Sequence, residues 1–216
     1  MKNSKSILLA SLMFVSTMGF AQLPKAMPKT LASPDVTPMA KSTTDSVVTT
    51  DSTAMVLDKA VSANASGDKA ATVTALKAST ASMEKTAAAS KGDFKDKLMG
   101  QVGNLQKLIP LAESGMLGGG VIQKAAGLAK MALGANQINS LLGGGSLLGK
   151  ASALTGGLSL LKGGLPSLGG VSASTGGSLI SSAMSAVGGL NSGGAAAEPA
   201  AKSALGSVLN FAKGVL

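Results

Sequence analysis

The stretch Leu147-Leu148-Gly149-Lys150-Ala151-Ser152-Ala153-Leu154-Thr155-Gly156-Gly157-Leu158-Ser159-Leu160-Leu161-Lys162-Gly163-Gly164-Leu165-Pro166-Ser167-Leu168 decides the fold class. Leu147, Ala151, Leu154, Leu158, Leu161, Leu165 and Leu168 follow one another at alternating steps of four and three. Steps of four and three keep a residue on one side of a 3.6-residue helix, so the spacing predicts a helix with a leucine seam rather than a strand.

Upstream, Leu98, Val102, Leu105, Ile109, Ala112 and Met116 repeat the pattern, and Pro110 is expected to bend or end that helix. Val121, Ala125, Leu128, Ala132, Ala135 and Leu142 form a second seam. The triplets Gly118-Gly119-Gly120 and Gly143-Gly144-Gly145 separate the three seams, which suggests helical hairpins joined by glycine-rich breaks. Glycines also recur every seven residues at Gly149, Gly156, Gly163, Gly170 and Gly177. They admit two readings: a smooth face opposite the leucines, allowing close approach of another backbone, or plain low-complexity punctuation, which the abundance of glycine favours. Each glycine inside a helix costs about 1 kcal/mol relative to alanine, which leaves a lone monomer of doubtful stability.

Residues 163–197 carry no charge but are mostly Gly, Ser and Ala. They read as a flexible connector holding one short helix, with Leu179, Ile180, Ala183, Met184 and Val187 on its apolar side. After Pro199 the pattern is again amphipathic: Ala201, Ala204, Leu205, Val208, Leu209, Phe211, Ala212, Val215 and Leu216 share one side, with Lys202 and Lys213 opposite. Such a basic amphipathic helix suits either packing on its own domain or contact with a membrane surface.

The N-terminal half is poorer in signal. Residues 51–92 form an Ala/Thr-rich polar segment, expected to give two frayed helices that break near Gly67 and bury little. Residues 22–50, with Pro24, Pro28, Pro34 and Pro38, read as a Pro/Ser/Thr-rich disordered linker. At the end of this tract and just beyond it, Asp45-Ser46-Val47 and Asp51-Ser52-Thr53 resemble acceptors for O-linked sugars on exported bacterial proteins, although a plain polar linker explains them better. Residues 1–21 read as a signal peptide: Lys2 and Lys5, an apolar run from Ile7 to Val15, and small residues at Gly19 and Ala21 before a cleavage point at Gln22. The apolar run is too short to cross a membrane.

The fold class expected is therefore mainly α, made of short helices and helical hairpins, with residues 93–216 as a Gly/Leu/Ala-rich helical region ending in the amphipathic helix. Composition limits what such a chain can do. The 216 residues include no His, Cys, Trp or Tyr. The net charge of +9 falls by two, to +7, if Lys2 and Lys5 are removed, and all of the basic residues are lysine. Scattered lysines without arginine forks or aromatic platforms argue against nucleic acid as a partner.

Three short motifs invite chemistry and fail on context. Gly144 to Lys150 has the outline of a phosphate-binding loop, but Ala151 stands where Ser or Thr would serve the metal. Ser82-x-x-Lys85 and Ser159-x-x-Lys162 match a serine-nucleophile spacing without the rest of that machinery. Asp93 and Asp96 fit the first turn of a helix better than a metal site. No catalytic, cofactor-binding or metal residue is named, and no cofactor is expected. The sequence points to an exported, periplasmic or secreted, non-enzymatic structural or interaction protein of the cell envelope. Its expected partners are a second copy, a cell-envelope protein or an anionic membrane surface. The alternative is a membrane-active or toxin-like protein using the C-terminal helix.

Overall fold

The computed structural model describes residues 43–216, with side chains from Thr50 onward. The expected signal peptide and residues 22–42 of the expected linker lie outside the described residues, as does the side chain of Ser46. Seven α-helices occur among the described residues: α1 (Thr43–Ala65), α2 (Lys69–Ala89), α3 (Asp93–Ser114), α4 (Gly119–Gly143), α5 (Ala151–Gly164), α6 (Gly170–Gly193) and α7 (Glu198–Val215). Short 3-10 turns at Leu165–Ser167 and Gly194–Ala197 precede α6 and α7. The mainly α class and the glycine-rich breaks are as expected.

Helices α1 to α4 form an antiparallel bundle in which each packs on the next and α4 returns to α1. The register is visible in polar pairs. Lys77 on α2 meets Glu113 on α3 at 3.2 Å, and Glu84, seven residues further along α2, accepts from Gln106, seven residues back along α3, at 2.9 Å. Left-handed glycines close two of the turns. At Gly67 (φ 75°) the Asp68 N–H reaches the Ala63 carbonyl at 2.9 Å, and at Gly115 (φ 77°) the Met116 N–H reaches the Leu111 carbonyl at 2.9 Å. Asp68 then caps α2 by accepting from the Ala71 N–H at 2.9 Å.

The first two helices correct the expectation of short, frayed, unburied segments. They are 23 and 21 residues long, and α1 starts at Thr43, inside the expected linker. Leu57, Ala60, Leu76, Met83 and Ala87 are completely shielded. Several of their hydroxyls are buried as well, and these bond nearby. Thr72 donates to the Asp68 carbonyl at 2.7 Å, Ser79 to Leu76 at 2.9 Å and Thr80 to Lys77 at 2.8 Å, while Thr53 and Ser82 bond to each other across the α1–α2 contact. A hydroxyl turned back on its own helix leaves a small, apolar outer surface, so Thr and Ser here pack much as alanine does.

Helix α4 is the centre of the molecule. One side places Ile122, Ala126, Ala129, Ala132 and Leu133 in the bundle core, and the other places Met131, Ala135, Ile138 and Leu141 in a second core with α5, α6 and α7. From Met131 to Ile138 every residue is buried. The single seam expected for this helix is therefore corrected: Ala132 and Ala135 are buried, Val121 is exposed, and the helix has no polar face through its middle.

Glycine brings α4 and α5 together. Gly134 lies against Gly157, and Gly127, seven residues earlier, lies against Gly164, seven residues later. A Cβ on Gly134 would stand 2.5 Å from the Gly157 carbonyl oxygen, and one on Gly164 would stand 2.4 Å from that of Gly127. A close glycine contact thus exists, but on other glycines than the heptad set. Gly149, Gly163 and Gly170 have open space around them, and Gly149 and Gly170 serve positive-φ positions next to helix starts.

Of the two outcomes expected at Pro110, an end of the helix does not occur: α3 runs on to Ser114. Pro110 and Gln106, whose carbonyl loses its helical donor, both lie on the exposed side, where that carbonyl is open to solvent. A further expectation is corrected. The uncharged 163–197 region is not a loose connector, because 24 of its residues form α6. Gly176, Ile180, Ala183, Val187 and Leu190, again at steps of four and three, seat α6 in the second core.

Candidate functional site

The leucine seam that decided the fold is used up inside the domain. Leu147, Leu154, Leu158 and Leu161 are fully shielded, and Ala151 and Leu165 nearly so. The amphipathic face of α7 is occupied in the same way: Ala201, Leu205, Val208, Leu209 and Ala212 are buried, and Ala204, Phe211, Val215 and Leu216 are half-buried. Neither surface is open to a partner in this conformation.

Two carboxylates hold α7. Glu198, at its start, accepts from the Leu147 N–H and the Ser146 hydroxyl, both at 3.1 Å, and from the Lys202 ammonium at 2.8 Å. Near its other end Lys213 meets Asp93 at 3.0 Å and lies 5.5 Å from the centre of the Phe94 ring. Both attachment points, the loop after α4 and the start of α3, lie at the same end of the α3–α4 hairpin. Helix α7, roughly 27 Å long at 1.5 Å per residue, therefore lies across that end. The Lys213 partnership lowers the Asp93 pKa, chiefly through its hydrogen bond and then through its charge. The hydrogen bond from Lys202, followed by that from the Leu147 N–H, lowers that of Glu198.

Several of the residues that invited chemistry have structural occupations. Lys150 of the phosphate-loop outline donates to the Leu141 carbonyl at 3.2 Å and the Gly144 carbonyl at 3.0 Å, closing the C-terminal end of α4. Ser82 is bonded to Thr53, and Lys85 is exposed. Asp93 and Asp96 sit in the first turn of α3, as expected. Among the described residues, no three His, Cys, Asp or Glu side chains stand together as a metal site would need, and no helix is long and apolar enough to cross a membrane.

A depression of about 90 Å³ lies between the α1–α2 and α3–α4 turns, lined by Asn64, Lys69, Thr72, Ala112 and Leu117, among others. It has room for a few waters. Lys69 fills its edge: the ammonium points at the Ser114 carbonyl, 3.4 Å away, and a Cβ on Gly115 would meet Lys69 Cε at 2.2 Å.

The same end carries apolar side chains that are exposed rather than packed. Met116 is 73% exposed, Val121 52% and Leu111 37%, all around the α3–α4 turn. The link into α6 lies beside them, because the Ser167 hydroxyl donates to the Gln123 carbonyl at 3.2 Å, and Val171, four residues on, is 83% exposed. Spacing placed Met116 and Val121 in seams, but α3 ends before Met116, and Val121 sits one residue off the buried line through Ile122. Against known families, curated proteins and solved structures alike, the chain finds no match.

Proposed function

We propose that this chain is an exported, non-enzymatic structural or interaction protein of the bacterial cell envelope, acting through contacts between helical surfaces of this chain and a second copy or an envelope protein. The observation that carries the reading is its division of labour. Lysine, serine, threonine and a few acids supply the polar groups, and those singled out above cap helices, bridge them or bond back to their own backbone. Large apolar side chains, meanwhile, remain outside the core at Met55, Met99 and Leu148 as well as at the α3–α4 turn. Export rests on the signal-peptide pattern of residues 1–21.

The leucine seam is not free to make that contact, since Leu154 and Leu158 are shielded inside the domain and substituting them with Asp would unfold it. Membrane action through α7 would first require withdrawing five buried side chains from the second core.

Cell fractionation with N-terminal sequencing, followed by sedimentation of the purified chain, tests the reading. It expects a mature terminus near Gln22 outside the cytosol. A mass above one chain assigns the contact to self-association, and a single-chain mass assigns it to an envelope protein. Full-length chain retained in the cytosol, or turnover of a substrate by one of its own side chains, overturns the reading.

A further inference from the structure

The end of the bundle formed by the α1–α2, α3–α4 and α5–α6 connections combines two properties. Met116 and Val121 protrude at the α3–α4 connection and Val171 at the start of α6, with Leu111 beside the first two. Lys69, Lys124 and Lys162 stand at the same end: Lys69 on the Ser114 carbonyl, Lys124 in the opening turns of α4, and Lys162 in the last turn of α5. Lys124 and Lys162 are exposed and take no carboxylate partner among the described residues. The two acids nearby are already engaged, Asp68 as the cap of α2 and Glu113 with Lys77.

We propose that this end docks on an anionic lipid surface, with Met116, Val121 and Val171 entering the interfacial layer and Lys69, Lys124 and Lys162 meeting lipid phosphates. The charge selects the occupant: Lys124 and Lys162 have no carboxylate partner among the described residues, Lys69 meets only a carbonyl oxygen, and lysine beside an anionic membrane is attracted to it. Side chains exposed one by one at helix ends also suit insertion between headgroups better than shape-matched docking. This inference goes beyond the proposed function, and it assigns lipid contact to a different part of the chain from α7.

Hydrogen exchange of the full chain, with phosphatidylglycerol vesicles and separately with phosphatidylcholine vesicles, tests it locally. Exchange is expected to slow at residues 111–124 and 165–173 with the anionic vesicles alone, and the protection should fade in about 0.5 M salt. The triple variant Met116→Ser, Val121→Ser, Val171→Ser should bind those vesicles roughly tenfold more weakly at unchanged helicity. Met55→Ser, exposed on α1, should leave binding as it was. No slowing at these residues, equal slowing on both vesicle types, or slowing confined to residues 1–42 or to α7 overturns the proposal. Protection of the same residues without lipid as protein concentration rises would assign the surface to a second copy and overturn it too.

Discussion

A methyl group on Gly134 would stand 2.5 Å from the Gly157 carbonyl oxygen and 3.1 Å from Leu161 N, and neither backbone atom can swing aside. Gly134→Ala is therefore expected to destabilise the protein by about 2 kcal/mol through overpacking, whereas Gly103→Ala, with open space on α3, should stabilise it by about 0.5–1 kcal/mol. Urea denaturation midpoints of the two variants check this. The contrast also shows what was legible in the sequence. Both glycines look alike in a glycine-rich string, and the heptad rhythm at Gly149, Gly156 and Gly163 drew attention to the wrong set. The signal lay in two seven-residue intervals, 127 to 134 and 157 to 164, which face each other only once the helices run antiparallel. A second residue stands out in the same contact. Gln137 donates to the Ala153 carbonyl at 3.0 Å, but its Oε1 is buried without a partner. An unsatisfied buried oxygen costs about 1–3 kcal/mol, and the bond it accompanies returns about 1. Gln137→Met should thus raise the thermal midpoint, and a lowered one would show that Oε1 has a partner.

At the scale of elements, α7 is seated by its five buried side chains, and two ionised carboxylates add to that attachment. Asp93 and Glu198 both have pKa values lowered in the folded protein, so their contribution is fully present above the unfolded values and is lost as pH falls through the lowered native ones. Acid should therefore loosen α7. Between about pH 5 and about pH 3 the stability of Asp93→Asn/Glu198→Gln should fall less than that of the parent chain, as read from urea midpoints at each pH. Elements also differ in how plainly the sequence announced them. The seam of α5 and the apolar side of α7 were readable because each helix buries one side, so its residues repeat at four and three. Helix α4 was not, because burial from Met131 to Ile138 on every side erases the period that a one-sided reading relies on. Helices α1 and α2 were underestimated because Thr53, Thr72 and Ser79 count as polar by composition, while in place their hydroxyls bond nearby and the remaining surface packs.

For the molecule as a whole, these pieces make a two-core protein organised about one helix. The bundle of α1 to α4 and the layer of α5 to α7 meet on opposite sides of α4, and a chain with 29 glycines is held together where four of them allow helix α5 to approach closely. That arrangement answers the doubt raised by glycine content. The cost per glycine falls mostly on exposed positions and turns, while the buried glycines permit backbone contact that larger residues would prevent. Sequence alone could not show this, since α4 receives its partners from both ends of the chain. Native-state hydrogen exchange of the purified chain tests the central claim most directly. The account predicts that the amides of Met131–Ile138 are the last to exchange, at the free energy of global unfolding. Fast exchange through that stretch, or slowest exchange in α2 or α6 instead, would contradict it.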